Sequence, residues 1–346
     1  MTEAAVKTIE MPPAGEVQHQ SYWRLVAHEF FKQRLSTIAL IATGALILVA
    51  IFAPYLANNA PIILKYHGGT YFPSTFTYRE FVTTDWTDFM NALPTGAWAL
   101  MPPVPYNPTQ TDIFHRLQAP SSGHIMGTDD LGRDVFSRMI WGARISLSVG
   151  FVAVGIAVFI GVVIGAFAGY FGKWTDILLS RVIEVVICFP TFFLIITIIA
   201  LVRKMNIYYL MFAIGIVGWT GVARLVRGDL LKLREQDFAV AARALGVPPT
   251  RIIFRHMLPN ALGPVLVSAS FGIAGAILME SGLSFLGFGV PPPTPSWGAI
   301  LSLARDYVYQ AWWLTAFPGA AIFVSILCYN LIGEGLRDAV DPRLRV

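Results

Sequence analysis

The chain has 346 residues, of which 55% are hydrophobic and only 13% are charged. Because a soluble globular domain carries about 25% charged residues, this composition argues against a soluble protein. The formal net charge is +4, and many of the basic residues lie beside apolar runs, so nucleic-acid binding has no support.

Six apolar runs are each long enough to cross a bilayer, which takes about 20 mostly apolar residues in a helix. In chain order the runs are Leu35–Ala53, Ile145–Gly172, Val185–Val202, Met205–Ala223, Ala261–Met279 and Ala311–Gly333. Since the backbone has to satisfy its own hydrogen bonds in hydrocarbon, each run predicts one α-helix. The predicted fold class is an all-α integral membrane protein with six transmembrane helices.

The segment before the first run predicts a cytoplasmic N-terminal region, residues 1-34, ahead of a first transmembrane helix at 35-56. Its beginning, Met1–Gln20, is polar and is expected to be poorly ordered. The first run is longer than the apolar region of a signal peptide, about 7–15 residues, and starts far from the N-terminus. It therefore predicts a span and not a cleaved signal.

A long insert, residues 57-140, separates the first two spans and contains prolines and aromatic residues without a repeat. A connection of this length normally has a function or is disordered. The aromatic residues favour an ordered lobe, because disordered segments are poor in them. Two roles stay open, contact with a partner outside the membrane and a cap packed on the helix ends.

The end of the insert carries a motif of glycines and charged residues. Its members are Gly127, Thr128, Asp129, Gly132, Arg133 and Asp134. Thr128 predicts a helix N-cap, and acidic residues suit the positive end of a helix. Arg133 and Asp134 are expected to pair or cap locally and not to touch substrate. The ligand spacing of an EF-hand calcium site is absent, so no metal site is predicted.

Features within the spans predict how the helices bend and pack. The glycines at four-residue spacing in Gly161–Gly169 predict close helix packing, and Pro190 predicts a kink. Arg181 and Glu184 are three residues apart and predict an ion pair near the cytoplasmic end of the third span. Glu280 is the ionisable residue deepest in an apolar run, which makes it a candidate for a translocation path or for a structural hydrogen bond.

A polar segment, residues 228-260, separates the fourth and fifth runs. Four residues share one face of a predicted helix, namely Phe238, Ala241, Ala242 and Leu245. Gly246 is placed as the C-terminal cap of this helix. A second short helix is predicted to start at Pro248–Thr250 and to stop at Pro259.

Helical periodicity leaves two roles open for the polar segment. A short helix with small residues can dock into a groove of another protein. The alternative is an amphipathic helix on lipid headgroups, with Arg243, Arg251 and Arg255 on phosphates. The cluster of basic residues here places the segment in the cytoplasm, which puts both termini inside and the insert outside. Arg203 and Lys204 fall in a loop assigned to the outside, against this rule.

Several catalytic patterns are missing from the sequence. It has no G-x-x-x-x-G-K-[ST] phosphate loop, no His-Glu-x-x-His and no Gly-x-Ser-x-Gly. The chain is therefore not expected to hydrolyse ATP by itself, and no catalytic residue is predicted. A stand-alone secondary transporter would be expected to show inverted repeats, and none is evident.

The polar segment resembles the cytoplasmic coupling loop of ABC importer permeases, whose pattern runs from Glu-Ala-Ala through a Gly to Ile-x-Leu-Pro. The residues that match this pattern are Ala241, Ala242, Gly246, Leu258 and Pro259. Two positions depart from it, because Val240 replaces the Glu and His256 replaces the Ile. The His is similar to the peptide and nickel importer branch.

Other stretches resemble the C-type permease of dipeptide and oligopeptide importers. They are His124–Gly150, Glu280–Gly298 and Gly333–Arg345. The beginning of the insert, Leu56–Pro73, is similar to the subgroup associated with microcin-C-type and longer peptides.

The resemblance implies the permease fold of a type I ABC importer, with a core at 141-335 and a cytoplasmic tail at 336-346. It implies a multi-pass protein of the bacterial inner membrane that forms half of a path for peptides, or for nickel or another small solute. The implied partners are a second permease, an extracytoplasmic solute-binding protein, and two ATPases that hold the ATP and Mg. No cofactor is expected in this chain. The residues implied in ATPase coupling are Asp237, Phe238, Val240, Ala241, Ala242, Leu245, Gly246, Arg251, His256, Leu258 and Pro259.

Overall fold

The computed structural model describes residues 22–94, 96–202 and 206–341. The expectation for Met1–Gln20 and the basic residues Arg203, Lys204, Arg343 and Arg345 lie outside the described residues. The α-helices are α1 Tyr22–Lys32, α2 Arg34–Ile51, α3 Ala53–Leu56, α4 Trp86–Asn91, α5 Val135–Phe171, α6 Lys173–Cys188, α7 Thr191–Ala200, α8 Ile207–Leu233, α9 Asp237–Ala244, α10 Pro249–Arg251, α11 Leu258–Phe285, α12 Trp297–Tyr307 and α13 Trp313–Val340. The strands are β1 Ile63–Tyr66, β2 Gly69–Tyr71 and β3 Trp98–Leu100.

Within the described residues, five helical stretches are long and apolar enough to cross a membrane, and a bent pair brings the number to six if it counts as one span. The bent pair is α6 with α7, which meet at an angle of 84°. The third predicted span, Val185–Val202, is therefore not one straight helix. Phe189 is extended because it precedes Pro190, which lacks the N–H that a continuous helix needs. The predicted kink at Pro190 is confirmed.

Two of the spanning helices extend well beyond the apolar runs. α5 is 37 residues long and starts ten residues before Ile145, and α8 continues past Ala223 to Leu233. The added turns contain arginines, such as Arg138 in α5 and Arg227 in α8. An uncharged run marks only the part of a helix that lies in hydrocarbon. The length of the run therefore underestimates the length of a helix that continues into the polar interface.

The glycine stripe of α5 lies against α8. A Cβ at Gly161 would lie 2.8 Å from the carbonyl oxygen of Trp219, and one at Gly169 would lie 2.8 Å from that of Arg227. A Cβ at Gly165 would clash with the carbonyl oxygen of Ala223. The predicted close packing is confirmed, because only glycine lets the two backbones approach this far.

The chain runs without a break from α10 through a π-helical stretch, Ile252–Met257, into α11. The prediction that Pro259 stops a short helix is wrong. Pro259 lies in the first turn of α11, where a proline is tolerated, and the preceding π-helical stretch changes the hydrogen-bond register locally. The polar segment is thus one short helix, α9, followed by the start of a long one.

The prediction of an all-α fold is wrong for the insert, which contains a small antiparallel sheet with the strand order β2-β1-β3. Aromatic rings pack beside it around Phe81, which lies 5.2 Å from Tyr71, 5.3 Å from Trp86 and 5.9 Å from Phe89 between ring centroids. The aromatic content therefore belongs to an ordered lobe, as the sequence predicts.

The lobe is attached to the start of α5. Trp141 donates its indole N–H to the carbonyl oxygen of Ala57 at 2.7 Å, and Ser137 donates to that of Tyr106 at 2.7 Å. Ala57 and Val104 form a β-bridge and pack with Ile140. These contacts fix the position of the insert on the helix ends.

Candidate functional site: the α9 segment and the buried ion cluster

The end of α9 is held by backbone hydrogen bonds around a glycine. Gly246 has φ +71°, and its N–H donates to the carbonyl oxygen of Arg243 at 3.0 Å. The N–H of Val247 donates to the carbonyl oxygen of Ala242 at 3.1 Å. These two bonds are those of a Schellman motif, so the predicted C-terminal cap is confirmed. A Cβ added at Gly246 would have no other atom within 4 Å, so only the positive φ favours glycine at this position.

The face predicted for α9 divides between two environments. Ala242 is half-buried and packs against the cluster that contains Val226, Leu230 and Ile253, while its neighbour Ala239 is 1% exposed. Ala242 is therefore small because of packing within its own chain.

The other members of that face point away from the protein. Phe238 is 38% exposed and Leu245 is 83% exposed, and Ala241 lies between them on the surface. Val240, at the position that departs from the family pattern, is 46% exposed. The segment thus presents apolar side chains that no described part of the chain covers.

α9 is tied to the spanning helices by arginines. Arg243 donates to the carbonyl oxygen of Arg234 at 2.6 Å, just past the end of α8, and Arg234 donates to that of Gly169 at 3.5 Å. Arg227 in α8 forms a two-pronged ion pair with Asp176 in α6. Arg243 thus has a structural contact within the chain, which holds α9 against the end of α8.

The remaining residues of the predicted coupling set lie around the start of the long helix. Arg251 and Pro259 are exposed, whereas His256 and Leu258 are half-buried. Asp237 occupies the first position of α9, where an acidic residue suits the helix dipole.

The motif at the end of the insert caps α5 differently from the prediction. Asp134, and not Thr128, is the N-cap, because its carboxylate accepts from the N–H of Ser137 at 2.7 Å. Thr128 lies in an extended bridge with Asp134, donates to the carbonyl oxygen of His115 at 2.5 Å and accepts from the N–H of Gln118 at 2.8 Å. The helix begins several residues later than the motif suggested, so Thr128 holds the insert instead.

Asp129 is the centre of a buried ion cluster at this end of α5. It is fully buried and accepts from the side chain of Arg133 at 2.7 Å and from the N–H of Leu131 at 2.9 Å. Arg138 also lies against it, with Nε at 3.4 Å. The local pairing predicted for Arg133 is confirmed.

Two glycines of the motif are required by the backbone. Gly127 has φ +75° and lies against Trp313, whose indole N–H donates to the carbonyl oxygen of Thr128 at 3.0 Å. Gly132 has φ +72°, and a Cβ there would overlap the backbone of Asp112. These contacts join the motif to α13 and to the insert.

Two aspartates of this region are paired with histidines. The carboxylate of Asp112 lies 2.7 Å from Nδ1 of His115, and this hydrogen bond lowers the pKa of Asp112. The carboxylate of Asp134 lies 2.9 Å from Nδ1 of His124.

Glu280 is fully buried at the junction of α5, α11 and α12. Its carboxylate accepts from Ser284 at 2.7 Å and from Ser146 at 3.2 Å. Ser146 in turn accepts from the backbone N–H of Trp297 at 3.2 Å, at the start of α12. In this structure the carboxylate holds three helices together.

Sequence reasoning missed the partners of Glu280 and the role of Arg138. Ser284 follows Glu280 by one helical turn, which is a readable signal. Ser146 is distant in sequence, and Arg138 was outside the apolar run, so nothing local indicated either contact.

The apolar helices and the exposed α9 segment define a multi-pass membrane subunit. Residues 161–346 match the family described as binding-protein-dependent transport system inner membrane component, and residues 21–80 match the N-terminal TM domain of oligopeptide transport permease C. The chain therefore belongs to this family, the permease subunits of ABC importers.

Relatives match along almost the whole chain. It is 37% identical over 334 residues to the dipeptide transport system permease protein DppC of Alkalihalophilus pseudofirmus, which covers 96% of this chain and 94% of that protein. It is 36% identical to the oligopeptide transport system permease protein OppC of Haemophilus influenzae, over 95% of this chain and 91% of that protein. A solved structure of the MetNI methionine ABC transporter in an inward facing conformation is similar with a TM-score of 0.49 and 17% identity, over 60% of this chain and 96% of that one.

Proposed function

We propose that the protein forms half of the translocation path of an ATP-driven importer that carries peptides across the bacterial inner membrane. Relatives that match nearly the full length are named for dipeptide and oligopeptide transport, which supports peptides as the cargo. The chain takes no catalytic part and binds no cofactor. A second, similar permease completes the path, and an extracytoplasmic solute-binding protein delivers the peptide.

The observation that carries the proposal is the exposed face of α9. Phe238 and Leu245 are apolar side chains turned outward on a helix that is capped by Gly246 and tied by Arg243 to the end of α8. Exposed apolar groups on a rigid helix suit docking into a groove of a partner. Two ATPases, which bind ATP and Mg, take the coupling helices of the two permeases, and their closure moves the spans between outward-open and inward-open states.

A transport assay with labelled peptides tests whether peptides are the cargo. The complex of both permeases, ATPases and binding protein, reconstituted in vesicles, should accumulate labelled peptides of two to about ten residues when ATP is supplied. Omission of ATP or of this chain should abolish accumulation. Transport of nickel or another small solute, with no uptake of any peptide, would contradict the peptide assignment and support the alternative cargo.

The proposed orientation places both termini and the α9 segment in the cytoplasm, and the insert outside, with α6 and α7 together as the third of six spans. Basic residues concentrate next to α9, which is the side that the positive-inside rule assigns to the cytoplasm.

Cysteine labelling tests this orientation. In a chain whose Cys188 and Cys328 are replaced by serine, single cysteines at Thr75 and Thr250, both exposed, should react with an impermeant maleimide from opposite sides. Thr75 should react in intact cells, and Thr250 only after the membrane is opened. Reaction of both positions in intact cells would contradict the six-span arrangement.

A further inference from the structure

A chamber of about 550 Å³ lies between the end of α7, the loop that follows α11, and α12. Its volume is within the range of about 300–1,000 Å³ that is usual for small-molecule sites. Much of the wall is apolar, with Ile199, Phe288 and Val290 among its residues. In the proposed orientation this is the outer end of the permease, where a delivered solute arrives.

Two arginines, Arg133 and Arg138, line the chamber, and no acidic residue lines it within the described part of the chain. Asp129 and Asp130 pair with the arginines but are not among the lining residues. The two arginines of the ion cluster therefore line the chamber, whereas its two aspartates do not.

Arg138 has hydrogen-bonding capacity to spare. Its side chain is only 4% exposed, and Nη1 donates to the carbonyl oxygen of Pro108 at 3.1 Å. Nε lies 3.4 Å from Asp129 without the geometry of a hydrogen bond and has no other partner. A guanidinium has five N–H donors, and leaving them unpaired in a buried site is costly. A carboxylate or a phosphate is the group that a guanidinium fork matches best.

We propose that this chamber binds the C-terminal carboxylate of the incoming peptide, with Arg138 as its principal donor and the apolar wall against the last side chain. The inference rests on the proposed function, since it assumes a peptide cargo. An anionic lipid headgroup has similar chemistry but would require an opening to the bilayer.

The test compares two labelled peptides of identical sequence, one with a free C-terminal carboxylate and one with a C-terminal amide. Uptake by the complete complex is measured as kcat/KM for each peptide, and the acid-to-amide ratio is taken. The binding protein contributes equally to this ratio in every variant, so a change reports on the permease. Replacement of Arg138 by methionine should lower the ratio about tenfold or more, as expected for loss of a hydrogen bond to a charged group.

Arg305→Met is the matched control. Arg305 lies on α12, is 60% exposed and does not line the chamber. Its replacement by methionine therefore removes the same charge close to the chamber without changing the chamber wall. Its acid-to-amide ratio should stay at the native value. An equal decrease in both arginine variants would mean a general charge effect and would overturn the proposal.

A second variant keeps Arg138 in case its loss prevents folding. Ser302 lines the chamber and is half-buried, so Ser302→Phe fills space while leaving the ion cluster intact. It should also lower the acid-to-amide ratio. A native ratio in this variant would exclude carboxylate binding in the chamber.

Two further outcomes separate the possible failures. If neither peptide is taken up by the unmodified complex, the peptide assignment itself is wrong. If the chamber variants change the uptake of acid and amide equally, and the change occurs only with anionic lipid in the vesicles, the chamber holds a lipid headgroup and the proposal is overturned.

Discussion

Replacing Leu245 by aspartate should disconnect the permease from its ATPases. The side chain is 83% exposed, so the fold should lose no more than about 0.5 kcal/mol, as is usual for surface substitutions. At a packed apolar contact with a partner, the new charge should cost about 2 kcal/mol or more, which is roughly 30-fold weaker binding. Co-purification of the ATPases and substrate-stimulated ATP hydrolysis should both fall, while the binding protein still docks.

Phe114→Asp is the control for this result. Phe114 is an apolar residue of the insert that is 98% exposed, and it lies on the side assigned to the exterior. Its replacement should leave ATPase co-purification at the native level. Native assembly and native stimulated hydrolysis in Leu245→Asp would mean that α9 contacts lipid and not the ATPase.

Glu280→Ala should be among the most destabilising single changes in the chain. It leaves the hydroxyl groups of Ser146 and Ser284 without their acceptor and opens a cavity between α5, α11 and α12. Loss of a buried hydrogen-bonded partner together with a cavity costs about 3–5 kcal/mol. The melting temperature of the detergent-solubilised complex, followed by size-exclusion fluorescence, should fall by several degrees or more.

Glu280→Gln separates a structural role from a role in transport. The amide has nearly the same shape, and its carbonyl oxygen still accepts from a serine, so stability and uptake should stay close to native. A Glu280→Gln variant with native melting temperature but no uptake would show that the carboxyl group itself takes part in transport.

The apolar character and the approximate positions of the membrane helices could be predicted because a bilayer imposes a length and an apolar composition on any span. The count of six stays a prediction, since it depends on taking the bent pair α6 and α7 as one span. The ends could not, since α5 and α8 continue into turns with arginines that no hydrocarbon rule covers. The bend at Pro190 could be predicted, because a proline lacks the backbone N–H that a helix needs at its own position. Pro259 was misread, because a proline in the first turn of a helix is compatible with continuation.

The candidate site likewise has features that the local sequence predicted and features that it could not predict. Gly246 was predictable from the cap chemistry of a single turn, and the structure has it at φ +71°. The division of the α9 face, with Ala242 against its own chain and Leu245 outward, depends on where α8 and the π-helical stretch lie. The position of Arg138 beside Asp129 depends on how the insert folds back on α5. Such contacts between distant segments leave no periodic signal in one sequence.

The uninterrupted stretch Pro249–Phe285 is 37 residues long, which at about 1.5 Å per residue is roughly 55 Å of helix. It starts beside α9, carries Glu280 near its far end and stops at the wall of the chamber. If a helix of this length rotates by about 10° about one of its ends, the other end moves by about 10 Å. In the proposed orientation, this helix therefore joins the cytoplasmic α9 segment to the outer chamber, and its π-helical stretch and Pro264 are the points along it where a bend would be absorbed.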